Sequence, residues 1–191
     1  ISHWLTMLRN ETTPNVLYAT GLEQMGIWLT YEAIRDWMPN RKESIKTSNS
    51  TTEGIVIEYS IPIYVVPNLP GGLEIWQGAR QVLPNAKLCL NGLPDEIQEN
   101  SGIIFYVDQI TTGKNLLKNI LHLQNEGIDL KRIRVITAIA SNEGLKNIGE
   151  LINDLSIFCA CIDPEKYKDE ELSPGIGNPS MRVNTIFTES T

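Results

Sequence analysis

The stretch of sequence that decides the fold runs from residue 103 to residue 115 and reads Ile103-Ile104-Phe105-Tyr106-Val107-Asp108-Gln109-Ile110-Thr111-Thr112-Gly113-Lys114-Asn115. Its first five residues are bulky and apolar, which predicts a strand buried on both faces. A polar loop rich in hydroxyl groups follows, and leucines at helical spacing begin directly after it. A buried strand that enters a helix through a short polar loop is typical of a parallel α/β sheet, whose ligands bind at the carboxyl ends of the strands.

The same alternation of strand and helix extends over the rest of the chain. Apolar runs predict further strands at Ile55–Tyr59, Ile61–Val66, Ala86–Leu90, Arg134–Ala138 and Ser156–Ile162. Apolar residues at helical spacing predict helices at residues 14–38, Gly72–Leu83, Asn115–Asn125 and Asn142–Leu151. Residues 40–54 are polar and predict an exposed connection. We therefore expect an α/β fold with a parallel sheet flanked by helices, in a single domain of residues 1–191 whose residues 1–40 form a helical N-terminal extension.

Composition excludes several classes of function. The chain has 191 residues, with 16 Lys and Arg against 23 Asp and Glu, so its net charge is −7. Nucleic-acid surfaces need clustered Lys and Arg, so we expect no nucleic-acid partner. No apolar run is long enough to span a bilayer, and no signal peptide is visible, although a chain that begins with Ile1 leaves an upstream segment open. Three Cys without metal-ligand spacing fit the cytoplasm or another reducing soluble compartment, the plastid stroma included.

The loop at 108–115 is the first candidate site. Backbone amides at a helix start carry the positive end of the helix dipole and can hold a phosphate. Thr111 and Thr112 add hydroxyl donors, Gly113 allows close backbone approach, and Lys114 adds a positive charge. The loop is not a Walker loop, because no Ser or Thr follows Lys114. The alternative interpretation is a helix with a threonine-rich N-cap and no ligand.

The second candidate is the Gly- and Pro-rich segment at 173–179, Ser-Pro-Gly-Ile-Gly-Asn-Pro. Such a bent segment exposes main-chain donors and acceptors that can read the edge of a planar base, and the alternative is an ordinary surface turn. The acidic run from Asp163 to Glu171 is interpreted as a solvated loop. We predict no metal site, because His3 and His122 have no evident partner and Cys159 alternates with Cys161 in an apolar strand.

Five motifs resemble motifs of the uracil phosphoribosyltransferases, and they occur in the same order along the chain. Thr112-Gly113 resembles the Thr-Gly of that family's PRPP loop, and Ile139–Leu145 resembles its Ala-Ser-Pro-Glu-Gly-Leu loop with Asn142 in place of Pro. The remaining matches are Tyr31–Asp36 to Tyr-Glu-Ala-Thr-Arg-Asp, Ala160–Asp163 to Ala-Ala-Ile-Asp, and Pro174–Asn178, followed by Arg182, to the uracil loop Pro-Gly-Leu-Gly-Asp. The resemblance covers most of the chain and implies a type I phosphoribosyltransferase fold.

The resemblance implies transfer of the ribose 5-phosphate of PRPP to N1 of uracil, giving UMP and pyrophosphate. The implied phosphate- and PRPP-binding residues are Thr111, Thr112, Gly113, Lys114 and Asn115. The implied uracil-binding residues are Leu172, Gly175, Gly177 and Asn178, with the Leu172 carbonyl and the Gly177 amide reading the base. The expected small-molecule ligands are uracil, UMP or PRPP. The expected assembly is a homodimer or a subunit of a protein complex.

Departures from the family pattern concentrate where pyrophosphate and its metal would bind. The family's Arg-Ala-Gly-Leu is Pro70-Gly71-Gly72-Leu73 here, and a short acidic link after Gly92-Leu93 replaces a long basic hairpin. The leading Asp of the PRPP loop aligns with Val107, unless a one-residue shift lets Asp108 serve as the catalytic carboxylate. In the last loop the two Asp residues become Asn178 and Met181.

These losses predict weak or absent phosphoribosyltransferase activity, because removing charged hydrogen bonds from a site costs much of its transition-state stabilisation. Mg²⁺ is expected only if the protein is active. The alternative function is a non-catalytic nucleotide- or phosphate-binding protein, or a structural subunit of a larger assembly.

Overall fold

The computed structural model describes residues 1–166 and 171–183. Its elements in chain order are α1 (Ser2–Arg9), α2 (Asn15–Ile34), β1 (Asn40–Lys46), β2 (Thr51–Ile57), β3 (Ile63–Pro67), α3 (Gly71–Ala79), β4 (Lys87–Leu88), β5 (Gly102–Ile110), α4 (Lys114–Asn125), β6 (Ile133–Ser141), α5 (Asn142–Gly149), β7 (Ser156–Asp163), β8 (Glu165–Lys166), β9 (Leu172–Ser173) and α6 (Pro179–Val183). A 3-10 turn at Leu130–Arg132 precedes β6.

The core is a five-stranded parallel sheet with the strand order β4-β3-β5-β6-β7. Strand β5 lies in the middle, and it is paired in register with β3 through Tyr64 and Ile103 and with β6 through Ile103 and Ile133. Strands β3, β5 and β6 are buried along nearly their whole length. The predicted parallel sheet of strands that are apolar on both faces is confirmed.

Helices cover both faces of this sheet, because side chains alternate along each strand. One apolar cluster joins Ile104 and Tyr106 of β5 to buried residues of α2 and α3. The other joins Ile103 and Phe105 to α4 and α5. Helix α2 contributes Tyr18 and other fully buried side chains to the first cluster, so the N-terminal helical extension is part of the core.

Helices α2 and α3 cross in direct backbone contact. A Cβ added at Gly26 of α2 would lie 1.9 Å from the carbonyl oxygen of Ile75, and one added at Gly78 of α3 would lie 1.9 Å from that of Glu23. Reciprocal glycines therefore set the distance between the two helices that cover this face of the sheet.

Residues 40–54, predicted to be an exposed connection, are exposed and lie outside the main sheet, but they are not irregular. They form most of an antiparallel hairpin in which Asn40 pairs with Ile57 and Lys46 with Thr51. The strand predicted at Ile55–Tyr59 belongs to this hairpin, as the end of β2, and not to the sheet. Strand β1 is exposed along its whole length, so no alternation of apolar and polar residues marked it in the sequence.

Two further boundaries differ from the prediction. The helical extension predicted for residues 1–40 contains two helices, α1 and α2, and α2 begins at Asn15 and ends at Ile34 rather than spanning 14–38. Strand β5 continues to Ile110, so Asp108 lies in the strand and not in the loop after it. No helix within residues 1–166 and 171–183 is long and apolar enough to cross a membrane.

We predict that Gly26→Ala destabilises the fold, because its new methyl group must displace the Ile75 carbonyl. The expected loss of unfolding free energy is at least about 1–3 kcal/mol, although Ala by itself favours a helix. Urea unfolding followed by circular dichroism measures it. Gly149→Ala is the matched control, because nothing lies within 4 Å of a Cβ there. Equal stability of the two variants would contradict the close helix crossing.

Candidate active site

A cleft of about 410 Å³ opens at the carboxyl ends of β3 and β5. Its walls are the end of β3, the second half of β5, the loop 111–113, the first turn of α4, and Gly92. All five predicted phosphate-binding residues and Asp108 line it. Among the residues that line the cleft, Lys114 is the single cation and Asp108 the single carboxylate.

The loop that opens α4 is built around Gly113. Gly113 has φ = +70°, a left-handed conformation that favours glycine, and it is the N-cap of α4. No side chain caps the helix, and the Thr112 hydroxyl lies 3.5 Å from the amide nitrogen of Lys114, which is at the limit for a hydrogen bond. The threonine-rich segment therefore gives α4 only this one long capping contact. The first amides of α4 lack intrahelical partners and line the cleft.

The start of α5 braces this loop from behind. The Ser141 hydroxyl donates to the Thr111 carbonyl and accepts from the Gly144 amide at 2.8 Å, while the Asn147 side chain donates to the Thr112 carbonyl at 3.1 Å. A Cβ at Gly144 would lie 2.5 Å from the Thr111 carbonyl oxygen. The motif Ser141–Gly144 thus fixes the backbone of the loop, and its Gly is required by the close approach.

Asp108 is held by Asn68, the first residue after β3. The Asn68 side-chain amide donates to Asp108 Oδ1 at 3.0 Å, and the Asp108 amide donates to Asn68 Oδ1 at 3.2 Å. Asp108 Oδ1 also accepts from the amide of Gln109 at 2.7 Å. The carboxylate is therefore fixed in one orientation at the floor of the cleft.

Burial raises the pKa of Asp108 above its usual range, and the hydrogen bonds from Asn68 and from backbone amides only partly offset this effect. Asp108 is 7% exposed, and no Lys or Arg of the described residues forms an ion pair with it. A buried, unpaired carboxylate in a cleft is destabilising, and such groups are typical of ligand sites.

The first turn of α3 presses against Asp108 from the other side. A Cβ at Gly71 would lie 2.6 Å from Asp108 Oδ2 and 2.9 Å from the Cβ of Pro179. A Cβ at Gly72 would lie 2.2 Å from the carbonyl oxygen of Tyr106. No side chain fits at either position. Because Pro70 precedes them, the start of α3 beside Asp108 carries no cation.

The second predicted loop lies on the other face of the sheet. Leu172 is buried with the α2 side cluster, and Gly175 has φ = +64°. A Cβ at Gly175 would lie 2.2 Å from the carbonyl oxygen of Leu172. Gly177 is exposed with φ = +72°, while the Asn178 side chain accepts from the Ser180 amide at 2.9 Å and so caps α6. The segment is a tight, specifically packed loop rather than a plain surface turn.

The interpretation of the acidic run as solvated is wrong for Asp163. Its side chain is 1% exposed and forms a two-point ion pair with Arg9 of α1, at 2.6 and 3.1 Å. Burial by itself raises the pKa of Asp163, but the hydrogen bonds from Arg9 and from the Gly175 amide outweigh it and hold the pKa below its usual range. Residues 167–170 of the same run lie outside the described residues.

The structure brings the predicted phosphate residues together but does not place the predicted base residues in the same cavity. None of Leu172, Gly175, Gly177 and Asn178 lines the cleft. The two loops meet across Gly71, which lies between Asp108 of β5 and Pro179 at the start of α6. The two loops therefore lie on either side of the first turn of α3.

Sequence reasoning missed Asn68, Asn147 and Arg9. Asn68 follows a buried strand at the carboxyl edge of the sheet, so the topological rule for ligand positions would have found it. Arg9 has no such signal, because its partner Asp163 is 154 positions away.

The described residues do not fit a resident Mg²⁺ ion. Mg²⁺ requires octahedral oxygen coordination, which proteins supply with one or two carboxylates and the phosphates of a substrate. The cleft offers Asp108 alone, and its Oδ1 already accepts two hydrogen bonds. Within residues 1–166 and 171–183, no three His, Cys, Asp or Glu side chains are grouped as a metal site.

Comparison with known protein families shows which family the chain belongs to. A family model described as uracil phosphoribosyltransferase matches residues 1–106 and 85–184, which together span nearly the whole chain. The chain belongs to the uracil phosphoribosyltransferase family. The two matched segments overlap at 85–106, which contains the short link where the resemblance places the missing hairpin.

Individual relatives agree with this assignment. The uracil phosphoribosyltransferase of Synechococcus elongatus is 29% identical over 96% of this chain and 92% of its own length. The chloroplastic uracil phosphoribosyltransferase of Arabidopsis thaliana is 31% identical over 95% of this chain and 67% of its own. The solved structure of the AQ2163 protein of Aquifex aeolicus, 24% identical, superposes with a TM-score of 0.81 over 97% of this chain and 94% of that one, so the two share a fold.

This uracil phosphoribosyltransferase family member therefore has the α/β fold of type I phosphoribosyltransferases, with its five-stranded parallel sheet flanked by helices. Its short link between β4 and β5 packs Leu93 and Ile97 against the α4 side of the sheet. No hairpin from this link projects over the cleft in the described residues.

We predict that Asp108→Asn raises the unfolding free energy at pH 7. The raised pKa means that the folded state disfavours the charged carboxylate, whereas Asn keeps the Oδ1 acceptor and carries no charge. The gain is absent below about pH 4, where Asp is protonated in both states, and it grows as pH rises toward the folded pKa. Urea unfolding at pH 3.5 to 8 in roughly half-unit steps measures it.

Asp163→Asn is the control of opposite sign. The lowered pKa of Asp163 stabilises the fold above its ordinary pKa near about 4, and that stability is lost as pH falls through the folded pKa. This variant is therefore expected to be less stable than the native chain at pH 7 and to approach it in acid. A loss of stability for Asp108→Asn at pH 7 would refute the assignment of Asp108 as a destabilising, unpaired carboxylate.

Proposed function

We propose that this protein binds a ribose 5-phosphate ligand, UMP or PRPP, at the carboxyl edge of its sheet. The 5-phosphate binds the loop from Thr111 to Asn115, where uncapped amides of α4 and the Lys114 ammonium supply donors and charge. The pyrimidine binds beside Leu172 and Gly177, whose main-chain carbonyl and amide offer one acceptor and one donor to the edge of uracil.

The observation that carries this proposal is the bracing of the loop at 111–113. Its carbonyls are engaged from behind by Ser141 and Asn147, which leaves the amide side of the loop directed to the cleft. A loop whose backbone is fixed by hydrogen bonds to two of its carbonyls is preorganised for an anion, so little ordering is needed when phosphate binds.

We further propose that transfer of the phosphoribosyl group to uracil is weak or absent in this member. A pyrophosphate leaving group needs cations or Mg²⁺ to stabilise its developing charge. Here α3 begins with Pro70, Gly71 and Gly72, and the cleft contains Lys114 as its single cation among the described residues. Loss of a buried charged contact costs about 2–5 kcal/mol, which corresponds to a rate lower by roughly 30- to 5000-fold.

A structural or regulatory subunit is the second candidate function. The outer face of α2 exposes three large side chains, Leu17, Trp28 and Tyr31. Trp28 lies about three helical turns after Leu17, and Tyr31 lies about one turn after Trp28. Their exposed fractions are 44%, 52% and 52%. Such a stripe on a charged, acidic chain favours a protein interface, which a homodimer or a larger assembly would cover.

Calorimetric titration with UMP tests the binding site. We predict that Thr112→Val and Lys114→Ala each weaken UMP binding about tenfold, because each removes roughly one hydrogen bond or one charge at the phosphate. Lys118→Ala is the matched control, one turn further along α4 and outside the cleft lining. Unchanged affinity in both site variants would contradict the phosphate assignment, and no UMP binding by the native chain would favour the subunit function.

Turnover is tested separately with radiolabelled uracil, PRPP and Mg²⁺. The expected result is UMP formation at least about 30-fold below a typical enzyme rate of about 10 per second, because the cations for pyrophosphate are missing. An uracil phosphoribosyltransferase such as the one from Synechococcus elongatus serves as the positive control. UMP formation at ordinary enzyme rates would disprove the loss of activity while leaving the binding site intact.

A further inference from the structure

The loop at 172–178 is held by helix α1, which lies at the opposite end of the sequence. Arg9, the last residue of α1, donates two hydrogen bonds to the Asp163 carboxylate, at 2.6 and 3.1 Å, and a third to the carbonyl oxygen of Gly175 at 3.2 Å. The amide of Gly175 donates to the same carboxylate at 2.8 Å. Both main-chain groups of Gly175 are therefore fixed by one ion pair.

Burial and a two-point geometry strengthen the ion pair between Arg9 and Asp163. The Asp163 side chain is 1% exposed, the Arg9 side chain is 22% exposed, and the two meet through both carboxylate oxygens. Two-point Arg–carboxylate pairs set orientation as well as distance, because the guanidinium and the carboxylate are planar. The position of Gly175 is thus specified in angle and not only in distance.

A second set of contacts from the N-terminal segment reaches the next part of the same loop. Arg182 of α6 donates to the carbonyl oxygens of Leu8 and Asn10, and also to that of Ile176 at 3.0 Å. Its guanidinium stacks on the Tyr18 ring at 4.1 Å, and the Tyr18 hydroxyl donates to the Ile176 carbonyl at 3.2 Å. These contacts hold Ile176 without involving the Arg9 side chain.

The Leu172 carbonyl and the Gly177 amide lie on either side of Gly175 in this loop. The Leu172 carbonyl packs against Gly175, so closely that a Cβ there would lie 2.2 Å from its oxygen. No hydrogen bond of the described residues engages the Gly177 amide. Because Gly175 lies between Leu172 and Gly177, its position sets the direction of both groups.

We propose that Arg9 is the positioning residue for recognition of the pyrimidine. Acting through Asp163 and Gly175, it presents the Leu172 carbonyl and the Gly177 amide to the base without touching the ligand. This inference rests on the proposed function, since it assigns a role within the base half of that site. The phosphate half does not depend on Arg9, because Ser141 and Asn147 hold the loop at 111–113.

Substitution of Arg9 is therefore expected to weaken binding of the base and to leave binding of the ribose phosphate unchanged. In Arg9→Gln we expect affinity for UMP to fall about tenfold, roughly the effect of losing one well-placed hydrogen-bonding interaction. Affinity for ribose 5-phosphate, which lacks the base, stays within about twofold of the native value, a difference below about 0.5 kcal/mol. A purely structural role for Arg9 would lower both affinities together.

Calorimetric titration of UMP and of ribose 5-phosphate into the native chain and its variants tests this proposal. Arg35→Gln is the control, since Arg35 forms exposed ion pairs with Glu32 and Asp36 on the surface of α2. Arg9→Lys keeps the charge and loses the two-point geometry, so its ratio of UMP to ribose 5-phosphate affinity falls between the native and Arg9→Gln values. Arg9→Gln leaves Asp163 charged and unpaired. If that variant does not fold, the ratio of UMP to ribose 5-phosphate affinity in Arg9→Lys tests the proposal instead.

Equal losses for the two ligands, or an unchanged ratio in both Arg9 variants, overturn the positioning role while native UMP binding still supports the proposed site. A native chain that binds ribose 5-phosphate as tightly as UMP refutes base recognition and this inference with it. A native chain that binds neither ligand refutes the proposed function as a whole.

Discussion

The close approach of α3 to the central strand is the constraint on which the site depends. Gly71 and Gly72 lie against Asp108 and the Tyr106 carbonyl with no room for a methyl group. This contact helps to bury Asp108 and lies between the loop at 111–113 and Pro179 at the start of α6. It also leaves the start of α3 beside Asp108 without a side chain that could carry a positive charge.

Asp108 and Asp163 are both buried, and their surroundings shift their pKa values in opposite directions. Asp163 has Arg9 beside it, so its pKa is lowered and its charge contributes to stability. Asp108 has amide donors but no cation, so its pKa is raised and its charge weakens the fold. The first carboxylate is therefore part of the scaffold. The second has a strained electrostatic environment of the kind that ligand sites retain at a cost in stability.

The two loops are anchored from different parts of the chain. The loop at 111–113 is braced by the start of α5, which follows it after α4 and β6, whereas the loop at 172–178 is braced by α1 from the far end of the sequence. Neither set of contacts passes through Pro70, Gly71 or Gly72 at the start of α3, so each loop keeps its position whatever residues stand there.

The sequence by itself determined the parallel sheet, the helices α2 to α5, the loop at 111–115 and the family, because each is written in a local run of residues. Apolar runs and helical spacing are visible without any knowledge of distant contacts, and so is the order of the family motifs that contain Thr-Gly, Glu-Gly and Pro-Gly. The sequence did not predict the hairpin at 40–57, because its exposed strands carry no burial pattern. It also did not predict the burial of Asp163, which lies at the start of an acidic run.

Only the tertiary structure decided how the site is assembled. Burial and charge pairing are properties of residues that are distant in sequence and meet in space, so the ion pair of Arg9 with Asp163 and the unpaired state of Asp108 have no local signature. The same holds for the contact of Gly71 with Asp108, which excludes a side chain for a steric reason that no sequence pattern expresses.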